Sequence, residues 1–102
     1  MKLFSGFIPA VVFFSAAALA VPTNHVAYFD RGLAWFNLKN FQKANEDFSM
    51  AIQLNPTHTR AYFNRAITRM TLRKSAEACI DFKTAGDLGH PQAAEYINKY
   101  CK

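Results

Sequence analysis

Residues 27–56 read AYFDRGLAWFNLKNFQKANEDFSMAIQLNP, residues 61–91 read AYFNRAITRMTLRKSAEACIDFKTAGDLGHP, and the two stretches are one pattern written twice. Displaced by 34 residues, Tyr28 falls on Tyr62, Phe29 on Phe63, Arg31 on Arg65, Ala44 on Ala78, Asp47 on Asp81, Phe48 on Phe82 and Ala51 on Ala85. Gly32 falls on Ala66, so a small residue recurs between the aromatics as well. A fixed period of this length marks stacked supersecondary units, none of which can bury its apolar face alone.

Within each unit the apolar positions recur at intervals of three and four, which predicts two helices. Asn24 caps a helix over about His25–Leu38, with Tyr28, Phe29, Leu33, Trp35 and Phe36 inward. Lys39-Asn40 makes a turn, and a second helix over about Phe41–Leu54 turns Ala44, Phe48, Ala51 and Ile52 inward until Asn55-Pro56 stops it. The second unit repeats this over about Thr59–Leu72 and Ser75–Leu88, with Ser75 as the N-cap. Gly89 ends that helix and Pro91 suits the first turn of a fifth, which reaches about Cys101 with Ala94, Ile97 and Cys101 on one face. The expected fold is all-α: an α-solenoid of two helical hairpins, about 25–58 and about 59–90, closed by a capping helix over about 91–102.

Composition agrees. The 102 residues are 51% hydrophobic and 19% charged with four glycines and four prolines, which excludes collagenous, disordered and polytopic membrane proteins and allows one domain at most. Two cysteines cannot build a disulfide-dense miniprotein. A net charge of +5 leaves an anionic partner open without demanding one. Residues 1–20 read as a signal peptide: Lys2 is the positive n-region, Leu3 to Leu19 is almost wholly apolar, and Ala18-Leu19-Ala20 offers a small-x-small cleavage site. Cleavage after Ala20 would leave residues 21–102 as an extracytoplasmic domain, secreted or periplasmic. The alternative is an uncleaved membrane anchor over residues 3–20, the one way this chain would meet a membrane.

The segment Ala27–Pro56 resembles a tetratricopeptide repeat, and the next 34 residues resemble a second, degenerate copy. Tyr28 stands where the family prefers Trp, and Gly32, Trp35, Ala44, Phe48, Ala51 and Pro56 fall on signature positions. In the second copy Tyr62, Ala66, Ala78, Phe82 and Ala85 match, whereas Arg69 replaces the usual aromatic and His90 takes the place of the proline. The final helix resembles the capping helix of such arrays.

This resemblance implies a binding scaffold, and it implies no chemistry. The first helix of each hairpin lines the concave side in such arrays, which implies a groove of Phe29, Asp30, Leu33, Phe36 and Asn37 from one repeat and Phe63, Asn64, Ile67, Met70 and Thr71 from the other. Such a groove is more apolar than charged, so the expected occupant is a protein or peptide segment. Self-association over the same face, giving a structural oligomer, is the alternative. Chaperone-binding members of the family grip a C-terminal carboxylate with Lys, Asn and Arg. Asn64 matches one of that set, but Phe29 and Leu33 stand where a Lys and an Asn would be needed, so that specialised grip is not expected.

Arg65, Arg69 and Arg73 lie four apart and would form a basic stripe on one helix, with Arg60 and Lys74 nearby. An anion site is one reading; pairing with Glu77 and Asp81 on the adjacent helix, or a solvated face, is the preferred one. No groove-reading motif supports nucleic acid as a partner. Cys79 and Cys101 are equidistant from His90, at the centre of the last helical hairpin, so both sit about 16 Å from the turn. In an exported chain they are expected to form a disulfide, worth about 3 kcal/mol on the chain-entropy model. His25, His58 and His90 fall near helix ends, where their spacing should spread them along an edge, so no metal and no cofactor is expected. There is no Gly-x-Ser-x-Gly elbow, Gly-rich phosphate loop or HExxH run, and the neighbours Glu46 and Asp47 point about 100° apart on a helix. No catalytic residue is assigned and no enzyme is expected.

Overall fold

The computed structural model describes Ala18 and residues 21–102, and residues 21–102 form five α-helices: α1 (His25–Asn37), α2 (Phe41–Leu54), α3 (Thr59–Thr71), α4 (Ser75–Asp87) and α5 (Ala93–Tyr100). Each helix packs on the next, α1 with α2 and α3 with α4 as hairpins, α2 against α3 between them, and α5 against α4. The chain is therefore the all-α solenoid of two hairpins and a cap that the repeat predicts. The signal or anchor reading of residues 1–20 lies, Ala18 apart, outside the described residues. Among the described residues no helix is long and apolar enough to cross a membrane.

Three helix starts are capped by side chains, two by asparagine and one by histidine. Asn24 Oδ1 accepts from the Ala27 N–H, Asn40 Oδ1 from the Lys43 N–H, and His58 Nδ1 from the Ala61 N–H. Ser75 does not cap: it is the first residue of α4, Lys74 holds the cap position, and no side-chain bond closes that end.

Three helix ends share one device. The Lys39 and Asn40 amides donate to Phe36 and Trp35, those of Arg73 and Lys74 to Met70 and Arg69, and those of Gly89 and His90 to Gly86 and Ala85. The residue at the bend has positive φ each time: 66° at Lys39, 63° at Arg73 and 97° at Gly89. Only the third carries the residue that adopts this conformation without steric cost.

The core has two parts, one per repeat. Phe29, Ala44, Phe48, Ala51 and Ala61 are buried together in the first, and Phe63, Ala66, Ala78, Phe82, Ala85 and Ala93 in the second. Alanines at the crossings bring the backbones close, and at Gly32 the approach leaves no room for a side chain. A Cβ there would lie 2.7 Å from the Phe48 ring. The cap departs from expectation: it starts two residues after Pro91, and the buried alanine is one position earlier. Helix α5 begins at Ala93, so Ala93 is fully buried and Ala94 is exposed. Pro91 lies in the preceding turn.

Buried ion pairs cross each hairpin. Arg31 grips Asp47 through Nε and Nη2 at 2.7 and 2.9 Å, and Arg65 grips Asp81 the same way at 2.8 Å for both bonds. Arg65 also donates from Nη1 to Ser49 Oγ of the preceding repeat, which ties the two hairpins together.

Candidate functional site

The residues assigned to a groove divide into two groups. Leu33 and Phe36 on α1, and Asn64, Ile67 and Met70 on α3, are half-buried, while Asp30, Asn37 and Thr71 are exposed. Phe29 and Phe63 do not belong to a groove at all. They are 2% and 6% exposed and lie in the two cores. The residue that follows each hairpin covers them. The His58 ring lies 4.8 Å from that of Phe29, and the His90 ring stacks flat on Phe63 at 3.9 Å. Phe29 also contacts the Phe48 ring at 5.6 Å and carries the Arg60 guanidinium over its face at 4.9 Å.

What remains open is an apolar pocket of about 250 Å³ at the second repeat, lined by Ile67, Met70 and Thr71 of α3, Phe82 of α4, and Tyr96 and Tyr100 of α5. Three of the ten groove residues line it; the capping helix supplies the aromatic wall. Tyr96 is itself held edge-on by Phe63 at 4.9 Å and tilted against Phe82 at 5.4 Å.

The basic stripe is not free to bind an anion. Arg65 and Arg69 both donate to Asp81, which is 2% exposed, and Arg69 lies 3.7 Å from Glu77 as well. Arg73 is not on the helix: α3 ends at Thr71, and Arg73 sits in the turn with positive φ. The burial of Asp81 decides this, because an ionised carboxylate removed from water is held by its partners.

The histidines do not spread along an edge. His25 and His58 meet edge-to-face at 5.2 Å, because the turn after the first hairpin folds back over the start of α1. Burial, together with the neighbouring His25, pushes the His58 imidazole below its usual pKa; burial and the nearby Arg60 push His90 down too. Among the described residues no three His, Cys, Asp or Glu side chains gather as a metal site would require. The cysteines meet: Cys79 and Cys101 are joined with an S–S distance of 2.12 Å and a Cα–Cα distance of 5.7 Å.

Residues 25–58 match the tetratricopeptide repeat family. The first tetratricopeptide domain of Spaghetti (RPAP3), solved bound to the HSP90 peptide SRMEEVD, superposes with a TM-score of 0.71 at 33% identity over 76% of this chain. The chain carries a tetratricopeptide repeat. It spans 63% of that solved chain's length. The second such domain of human RPAP3, solved by NMR in complex with the HSP70 peptide SGPTIEEVD, superposes at 0.73 with 25% identity, covering 99% of this chain and 91% of its own. Against curated proteins compared by sequence there is no match.

Seen as tetratricopeptide repeats, α1 and α3 are the first helices of their hairpins, and α5 takes the place of a third. Sequence reasoning missed Tyr96 and Tyr100 as pocket residues because it placed Ala94 and Ile97 on the inner face of the cap. A signal existed: Tyr96 falls 34 residues after Tyr62 in the repeat register.

Proposed function

We propose that this repeat protein is an exported scaffold that holds an extended segment of another protein, anchored by one bulky aliphatic side chain in the pocket between α3 and α5. The observation that carries the reading is the pocket itself. About 250 Å³ stands open beside half-buried Ile67, Met70 and Tyr96, a size and lining suited to a side chain such as Met, Ile or Leu. Both similar solved domains hold peptides, and each of those peptides carries such a residue, Met in one and Ile in the other. The carboxylate grip of chaperone-binding members forms no part of the proposal, because Phe29 is buried and Leu33 has no donor. The exported location is supported by the reading of residues 1–20.

The test pairs the protein with Ile67→Asp. Affinity capture from the extracytoplasmic compartment is expected to retain a partner on the parent chain and lose it on the variant, with unchanged helical circular dichroism. A dimer persisting at nanomolar concentration by light scattering, with no retained partner, would assign the face to self-association instead. General unfolding of Ile67→Asp would return that residue to the core.

A further inference from the structure

We propose that the Cys79–Cys101 disulfide is a redox latch on the binding pocket: closed, it holds α5 in place as the pocket's outer wall, and reduced, it lets that wall leave and release the bound segment. This rests on the reading above that the pocket holds a partner's side chain.

The wall is the weakest element of the fold. Helix α5 has eight residues, whereas α1 to α4 have thirteen or fourteen each. Two turns do not hold together in water without tertiary support. The Gln92 cap makes no side-chain bond, and of the helix only Ala93 is buried, with Tyr96 and Ile97 half-buried. The covalent tie sits at the other end. Cys101 follows Tyr100 directly and donates its amide to the Ile97 carbonyl at 2.8 Å, so the bond fastens the last turn of α5 to the second turn of α4. Tyr96 and Tyr100, one turn apart, are the two wall residues that this fastening holds over the pocket.

The remaining walls do not depend on the bond. Ile67, Met70, Thr71 and Phe82 belong to α3 and α4, which Arg65 and Arg69 join through Asp81. Cleavage therefore removes one side of the pocket and leaves the others standing.

The bond is also reachable. Both cysteines line a second hollow of about 320 Å³, shared with Ser75, Ala76, Lys83, Tyr100 and Lys102. A small dithiol entering there attacks one sulfur as its thiolate, forms a mixed disulfide and expels the other cysteine as a thiolate. Its second thiol then displaces the remaining cysteine. Two protons and two electrons pass from the dithiol to the protein, giving two cysteine thiols and a cyclic disulfide. Lys83 and Lys102 line the same hollow, and positive charge near a departing thiolate favours it.

Hydrogen exchange on the full chain, read by mass spectrometry with and without dithiothreitol, tests the latch. Amides 96–101 are expected to exchange at least tenfold faster on reduction, while those of α1 to α3 change less than twofold. The double variant Cys79→Ser, Cys101→Ser should exchange at the fast rate in both conditions. Unchanged exchange in α5 would overturn the proposal. So would acceleration of the whole chain together, which would make the bond a general staple. A segment captured by the oxidised chain is expected to be lost on reduction; equal capture by both forms would overturn the gating. Capture by neither form would refute the function proposed above, and the exchange rates would still decide the latch.

Discussion

Asp81 accepts hydrogen bonds from two arginines of the facing helix, Arg65 and Arg69, all at 2.8 Å, while its counterpart Asp47 is gripped by Arg31. Opposite charges repeated in one register on the two helices of a hairpin fix how those helices slide past each other. Removing the aspartate takes the carboxylate away from arginines held largely out of water, at a cost of about 3–5 kcal/mol for a buried pair. Asp81→Ala is therefore expected to lower stability by about that amount in urea unfolding. Asp47→Ala should cost less, because the carboxylate it removes serves one arginine, 26% exposed, where Asp81 serves two at 15% and 19%.

Gly32→Ala places a methyl 2.7 Å from the buried Phe48 ring and 3.3 Å from the Asp47 Cβ. Ala favours a helix over Gly by about 0.5–1 kcal/mol, and overpacking costs about 1–3 kcal/mol. The clash wins. A net loss of about 1 kcal/mol in thermal unfolding is expected, accompanied by a changed near-ultraviolet aromatic signal.

Arg73 holds φ of 63° at the end of α3, exposed and, among the described residues, outside every ion pair. Glycine adopts that conformation freely, and Arg73→Gly is expected to stabilise the chain by about 0.5–1 kcal/mol, the relief of strain exceeding the added unfolded-state entropy. Lys39→Gly, at the equivalent turn, should act alike. A fall in the urea midpoint of both variants would contradict the shared turn geometry.

His58 and His90 each use Nδ1 as an acceptor, His58 from the Ala61 amide and His90 from the Gln92 amide, both at 3.2 Å. Their folded pKa values lie below the ordinary value of about 6.5. The unfolded chain thus takes up protons first as pH falls. Their contribution is complete above about pH 6.5 and is lost as pH drops through that value to the depressed folded pKa values. Urea midpoints are expected to fall between pH 7.5 and pH 5, and His58→Asn, which keeps a capping acceptor, should flatten that slope. An identical slope in the variant would remove His58 from the account.

The repeat was legible because size and aromaticity recur in step: Phe48 with Phe82, Ala51 with Ala85, Gly32 with Ala66. Helix boundaries followed from Asn24, Pro56 and Gly89. The groove was legible only in part. Period alone puts Phe29 and Phe63 on the inner side, but what covers them comes from turns, where His58 and His90 stand 32 residues apart and outside the helical pattern. The arginine–aspartate pairs were visible as charges in register, and Asp81 was correctly placed opposite the stripe. Its full burial, which turns a surface pairing into a structural one, depends on how closely the alanines let α3 and α4 approach. The cap was misplaced because Pro91 marks a helix start loosely: the helix begins two residues later, at Ala93.

His58 on Phe29 and His90 on Phe63 close corresponding joints in different poses, tilted at 4.8 Å in one and flat at 3.9 Å in the other, so the joint between hairpins and the joint before the cap are related fittings of different shape. Measured to the tyrosine that follows, Tyr62 or Tyr96, the second joint is two residues longer than the first, so a unit inserted after His90 to lengthen the array would have to absorb that slack.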